Sequence, residues 1–152
     1  MTGEEERDSF RVYFAGASLA FGLPFLTVEL LALIYGGSER VLSVFSTLFV
    51  ALHLVGGLLG GYSAARIAKG DLVRVGTVTG VLAYVIQQVV YTIFYGWGAV
   101  GDALTMVGLI GGSTVGAALY KSRVDAYARI KSRRIEEDKE KGDTEDEEEP
   151  SQ

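Results

Sequence analysis

Residues 42–65 read "LSVFSTLFVALHLVGGLLGGYSAA" and contain no Lys, Arg, Asp or Glu. A membrane-spanning helix needs about 20 mostly apolar residues to cross about 30 Å of hydrocarbon. This stretch is long enough, and its four glycines form two pairs spaced four residues apart. Small residues at that spacing allow close helix packing in lipid. The stretch therefore predicts a membrane helix that packs tightly against a neighbour.

Three more stretches, 12–35, 73–97 and 101–120, are of similar length and character. The first is not a secretory signal, because the acidic run "EEERD" precedes it and it is too long for a cleaved core. The chain contains 20 Gly and 2 Pro, so glycine has a use here beyond turns. We therefore predict an all-α polytopic membrane protein, with four transmembrane helices arranged as two hairpins.

The flanking segments differ sharply in charge. Residues 1–11 are predicted to be a cytoplasmic N-terminal segment, 12–120 the four-helix domain, and 121–135 a basic juxtamembrane segment attracted to anionic lipid head groups. Residues 136–152 hold ten acids and two lysines, a composition typical of a disordered tail. The net charge of −5 therefore comes from a tail of −8, and the rest of the chain is +3.

The distribution of basic residues predicts the orientation. With four spans, the N-terminus, the turn at 66–74 and the C-terminal segment lie on one side, and thirteen of the fourteen Lys and Arg fall there. The positive-inside rule makes that side cytoplasmic. The expected location is the cell membrane, with both termini inside and with Tyr35, Tyr95 and Trp97 at the outer interface.

The two hairpins share a weak internal similarity. Residues 51–69 align without gaps on 103–121, and seven of nineteen positions are identical. The second and fourth spans run in the same direction, so a duplication would be a parallel repeat. Chance similarity between glycine-rich apolar segments is the alternative.

The run "GGYSAARIAKGD" (60–71), followed by "GTVTG" (76–80), resembles small uncharacterised four-helix prokaryotic membrane protein families with a Gly-rich hairpin. The resemblance covers about residues 51–121. It implies the four-helix architecture and carries no activity.

Every span carries small residues four positions apart. We expect them to act mainly as packing surfaces, a glycine zipper that holds the bundle together, with closure of the cytoplasmic half as the functional alternative. The predicted helix-packing residues are Gly57, Gly60, Gly61, Gly76, Gly80, Gly108, Gly112 and Gly116.

Two ionisable residues, Glu29 and His53, lie deep inside the apolar spans, and Gln87 and Gln88 join them as candidate site residues. An ionisable residue at membrane depth is costly, so it marks a functional site by default. Helix rise and side-chain tilt bring Glu29, His53 and Gln87 toward a common level. These residues are therefore candidates for one binding site, in which Glu29 is hydrogen-bonded or protonated.

Two functions fit these features. The favoured one is a structural or interaction protein that packs with itself or with a larger membrane complex through its Gly-rich faces. The alternative is a small oligomeric transporter or channel with an outward-facing polar site around Glu29, His53 and Gln87. The chain has one His and no Cys, so a zinc site is not expected. We expect no enzyme activity, cofactor or nucleic-acid partner.

Overall fold

The computed structural model describes residues 3–35, 39–96 and 103–147. They form four helices: α1 (Gly3–Tyr35), α2 (Glu39–Ile67), α3 (Leu72–Tyr95) and α4 (Ala103–Glu147). Each is long and apolar enough to cross a membrane. The predicted all-α, four-span membrane fold is therefore confirmed. Residues 97–102, which include Trp97 and the predicted edges of the last two spans, lie outside the described residues.

Two local signals connect α2 to α3. Gly70 has a positive φ of 101°, a backbone conformation that residues with a side chain rarely adopt. Asp71 then caps α3, because its side chain accepts hydrogen bonds from the backbone N–H groups of Val73 and Arg74 at 3.1 and 3.4 Å. A glycine followed by an N-cap residue explains why the chain reverses direction at this point.

The chain divides into two compact units, Met1–Lys121 and Ser122–Gln152. In the first unit, α2 packs against α1 and α4, and α3 packs against α1, α2 and α4. Many large apolar side chains remain exposed on the helix surfaces, including Leu26, Leu33 and Ile93. Exposed apolar surface of this extent suits contact with lipid, and the chain is a multi-pass membrane protein.

In the second unit, α4 runs to Glu147, and the side chains are exposed from Ser122 to Glu136. The disorder that composition indicates for residues 136–152 stays a prediction. Glu, Lys and Arg are favourable helix residues, and they dominate this segment. Residues 148–152 lie outside the described part of the chain.

The contacts between α2 and α4 bear on the internal similarity. A β-carbon added at Gly57 would lie 2.8 Å from the Leu109 carbonyl oxygen, and one at Gly61 would lie 2.5 Å from the Ser113 Cα. Residues 57 and 61 align with 109 and 113 in the proposed repeat, so aligned positions face each other across two parallel helices. The duplication itself stays a prediction.

Candidate functional site

A cavity of about 490 Å³ opens at the end of the bundle where α1 and α3 end and α2 and α4 begin. Three of the four predicted binding residues, Glu29, Gln87 and Gln88, line it. The other lining residues are Phe25, Val28, Ala32, Phe49, Tyr91, Tyr95 and Thr105. All four helices therefore contribute to the cavity wall, and its polar groups come from α1, α3 and α4.

Glu29 is half-buried at the cavity wall, and the Tyr95 hydroxyl donates a hydrogen bond to its Oε1. This bond joins α1 to α3 near the C-terminal ends of both helices. Because α1 and α3 run in the same direction, Glu29 and Tyr95 lie at the same level of the bundle. The sequence indicates only an interfacial position for Tyr95, and its hydrogen bond to Glu29 could not be predicted from it.

His53 is fully buried and forms a hydrogen bond with Gln87, which is 1% exposed. The His53 Nε2 and Gln87 Nε2 atoms are 3.3 Å apart, and His53 Nδ1 lies 2.7 Å from the Phe49 carbonyl oxygen. A carbonyl can only accept, so Nδ1 carries the proton. In the neutral ring, Nε2 then accepts from the Gln87 amide. The neutral tautomer that fits both contacts carries its proton on Nδ1.

Two side-chain oxygens at this site have no hydrogen-bond partner within the described ranges: Gln87 Oε1 and Gln88 Oε1. The Gln87 amide nitrogen is directed to His53, which leaves its oxygen as the unpaired atom. A buried acceptor without a donor costs about 1–3 kcal/mol, so such atoms are uncommon in packed interiors. Both oxygens lie beside the cavity, so the site has acceptors that no donor of the described residues pairs with.

Aromatic rings form much of the remaining wall. Tyr91 lies at the centre of this group, with ring centroids 6.0 Å from Phe21, 6.3 Å from Phe25 and 6.4 Å from Phe49. Tyr95 packs edge-on against Tyr91 at 5.7 Å. These bulky side chains hold the helices apart at this end of the bundle and leave room for the cavity.

The predicted packing glycines lie at the contacts between helices. Added β-carbons would lie 2.6 Å from Ala20 at Gly60, 2.6 Å from Ala117 at Gly76, and 2.6 Å from Ile110 at Gly80. Positions on α4 behave similarly: Gly112 faces Leu54, Gly116 faces Leu58, and Gly108 faces His53 at 3.4 Å. These glycine faces are therefore occupied by other helices of the same chain.

The structure thus places the sequence candidates in two connected sets. Glu29, Gln87 and Gln88 share the cavity, and His53 is linked to it through Gln87. Sequence reasoning missed Phe25, Phe49 and Thr105, since such residues carry no signal within an apolar helix. Within the described ranges, no three His, Cys, Asp or Glu side chains form a group that could hold a metal ion.

No protein-family model, curated protein or solved structure matches this chain.

Proposed function

We propose that the protein is a small membrane transport protein that admits a proton or another cation to its cavity, with Glu29 as the residue that binds it. The observation that carries this proposal is the convergence of one carboxylate and two glutamine amides on a cavity of about 490 Å³. An acid within a membrane span is expensive to keep unless it has a role or a partner. Glu29 has a partner in Tyr95, and it also faces the cavity.

The charge distribution supports an outward-facing cavity. The cavity lies at the end opposite the 66–74 turn, and the cavity-side connections carry a single basic residue, Arg40. By the positive-inside rule this end faces outward from the cell membrane, with both termini in the cytoplasm. A cysteine at Ser38 should therefore react with an impermeant reagent added outside intact cells, and one at Ser122 should not.

The close packing of helices at glycines supports a cavity that opens to one side of the membrane at a time. Toward the 66–74 turn, Gly61 and Gly76 both lie against Ser113 in backbone-level contact. Contacts this close leave no room for a solute between these helices. Transport would therefore require the helices to rearrange, with the cavity as the outward-open site.

Flux through proteoliposomes tests the proposal. Purified protein should support a pH-dependent cation or proton flux, and Glu29→Gln should abolish it because the amide cannot carry the charge. Glu136→Gln is the matched control, since Glu136 is exposed and does not line the cavity. Wild-type protein that is folded but gives no flux above empty liposomes would contradict the proposal.

A structural or interaction role is the second candidate, and one observation favours it. Leu19, Leu23, Leu26, Leu30 and Leu33 are exposed on α1 at alternating spacings of four and three residues. This is the heptad spacing of helices that pack side by side. Because the glycine faces are used within the chain, this leucine face would be the one that meets a second copy or a membrane-complex partner. The mass of the protein in detergent, before and after Leu26→Ala, tests it: an unchanged monomer mass would argue against this role.

The basic segment 121–135 is proposed to lie against anionic lipid head groups. Val124, Tyr127 and Ile130 are exposed at helical spacing among the basic residues of α4. A synthetic peptide of this segment should bind vesicles that contain phosphatidylserine and release them as salt is raised. Equal binding to neutral vesicles would contradict an electrostatic attraction.

A further inference from the structure

We propose that the ligand of the cavity is a protonated organic amine, a molecule with an N–H-bearing cationic head and an apolar body. This inference rests on the proposed function, because it names the class of cation that the same cavity takes up. It draws on three independent properties of the wall: its hydrogen-bond acceptors, its charge and its aromatic rings.

The two buried polar atoms of the cavity lining that lack partners within the described ranges are both acceptors. Gln87 Oε1 and Gln88 Oε1 are buried and unpaired within the described part of the chain, and Gln87 as a whole is 1% exposed. The Gln87 amide nitrogen lies 3.3 Å from His53 Nε2, and its oxygen is directed away from that contact. A ligand that donates two or three hydrogen bonds would satisfy these oxygens. An ammonium group has donors and no acceptor, so it can pair with both oxygens, and the Glu29 carboxylate disfavours an anion.

The charge of the wall selects a monovalent cation. Among the described lining residues, Glu29 is the one carboxylic acid, and none is Lys, Arg or His. One carboxylate balances one positive charge in a site of low dielectric constant. A divalent metal would need several anionic or neutral oxygen ligands in a fixed geometry, and the described residues hold no such cluster.

The aromatic residues that line the cavity favour an organic cation over an inorganic ion. Phe25, Phe49 and Tyr91 line the space, and their ring centroids lie 6.3 Å (Phe25–Tyr91) and 6.4 Å (Phe49–Tyr91) apart. Rings of this kind attract a cationic head and bury an apolar body. The volume of about 490 Å³ also falls in the range of small-molecule sites, about 300–1,000 Å³. A dehydrated metal ion would leave most of this wall without a partner.

Calorimetric titration of the full-length protein in lipid nanodiscs tests the inference. The probes are phenethylammonium and phenethyl alcohol, which share a body and differ in the charged head. We expect phenethylammonium to bind and the alcohol to bind at least tenfold more weakly. Equal affinities for the two probes, or no heat with either, would overturn the proposed ligand class.

Variants locate the binding to this cavity. Glu29→Gln should weaken phenethylammonium binding at least tenfold, and Gln88→Leu several-fold, because each removes an acceptor for the ammonium group. Glu136→Gln should bind as wild type does. Circular dichroism and gel filtration of each variant confirm the fold before titration. Full affinity in a folded Glu29→Gln protein would overturn the assignment.

The flux and titration experiments fail in different ways. If phenethylammonium does not bind but a Glu29-dependent proton or metal-cation flux persists, the ligand class is wrong and the transport function stands. If neither binding nor flux is seen with folded protein, both are wrong.

Discussion

The two ends of the four-helix bundle are built from different side chains, and the space between the helices follows from that difference. Toward the 66–74 turn, Gly60, Gly61, Gly76 and Gly112 let one backbone approach the next. At the opposite end, Phe25, Phe49, Tyr91 and Gln87 occupy the corresponding positions between helices. Small residues close the first end, and large ones hold the second end open.

The polar side chains also differ between the two ends of the bundle. In the glycine-packed end, Ser113 donates to the Gly57 carbonyl at 3.0 Å, and Thr77 bonds Thr114 at 3.1 Å. These short side chains bond across helices and add little bulk. At the cavity end, the polar side chains are longer, and two of their oxygens are unpaired among the described residues; a third unpaired oxygen, Thr79 Oγ1, lies outside the cavity lining. The longer polar side chains around open space suit the cavity end to binding.

The largest expected effect is at the glycine-packed end. Gly112→Leu should destabilise the bundle by several kcal/mol, because even a β-carbon there would lie 2.5 Å from the Leu54 carbonyl oxygen. Gly111→Leu is a matched control on the same helix, since nothing lies within 4 Å of the corresponding β-carbon. Thermal unfolding in detergent measures both. Equal melting temperatures for the two variants would show that these glycines do not hold the helices together.

The second-largest loss of stability is expected at the hydrogen-bonded pair of His53 and Gln87 beneath the cavity. His53→Leu leaves a Gln87 N–H without its acceptor, and Gln87→Leu leaves the His53 ring nitrogen without its donor. Each should cost about 1–3 kcal/mol. The double variant should cost less than the sum of the two, because neither member of the pair is then left without the other. Strictly additive losses in unfolding would mean that the two side chains do not interact.

The smallest stability effect is expected at the mouth of the cavity. Tyr95→Phe removes the hydroxyl that donates to Glu29 and should cost no more than about 1 kcal/mol, since Tyr95 is 56% exposed. Tyr84→Phe, on the same helix but outside the cavity lining, is the control. Cation binding should weaken in Tyr95→Phe, because Glu29 would no longer be held in one orientation. A Tyr95→Phe protein less stable than His53→Leu would contradict the ranking of the two ends.

Some features of this structure can be predicted from the sequence because they depend on residue type and spacing, and others cannot. Mostly apolar runs of about 20 residues identify the helices, and glycines four apart identify the closely packed faces. His53, Gln87 and Glu29 stand out because polar residues are rare in such runs. The Tyr95–Glu29 bond and the aromatic wall leave no comparable signal. Their positions depend on which helices adjoin, and each residue step rotates a side chain by about 100° around its helix.

The proposed transport function requires a cavity that opens outward and is negative because of Glu29. The chain has no native cysteine, so Gln88→Cys places a single reactive thiol in the cavity wall. Impermeant cationic and anionic methanethiosulfonate reagents would then be added outside intact cells. We predict faster modification by the cationic reagent, and a rate ratio that falls toward one when Glu29→Gln is added. Modification only from the cytoplasmic side, or equal rates for the two reagents with Glu29 present, would contradict the account.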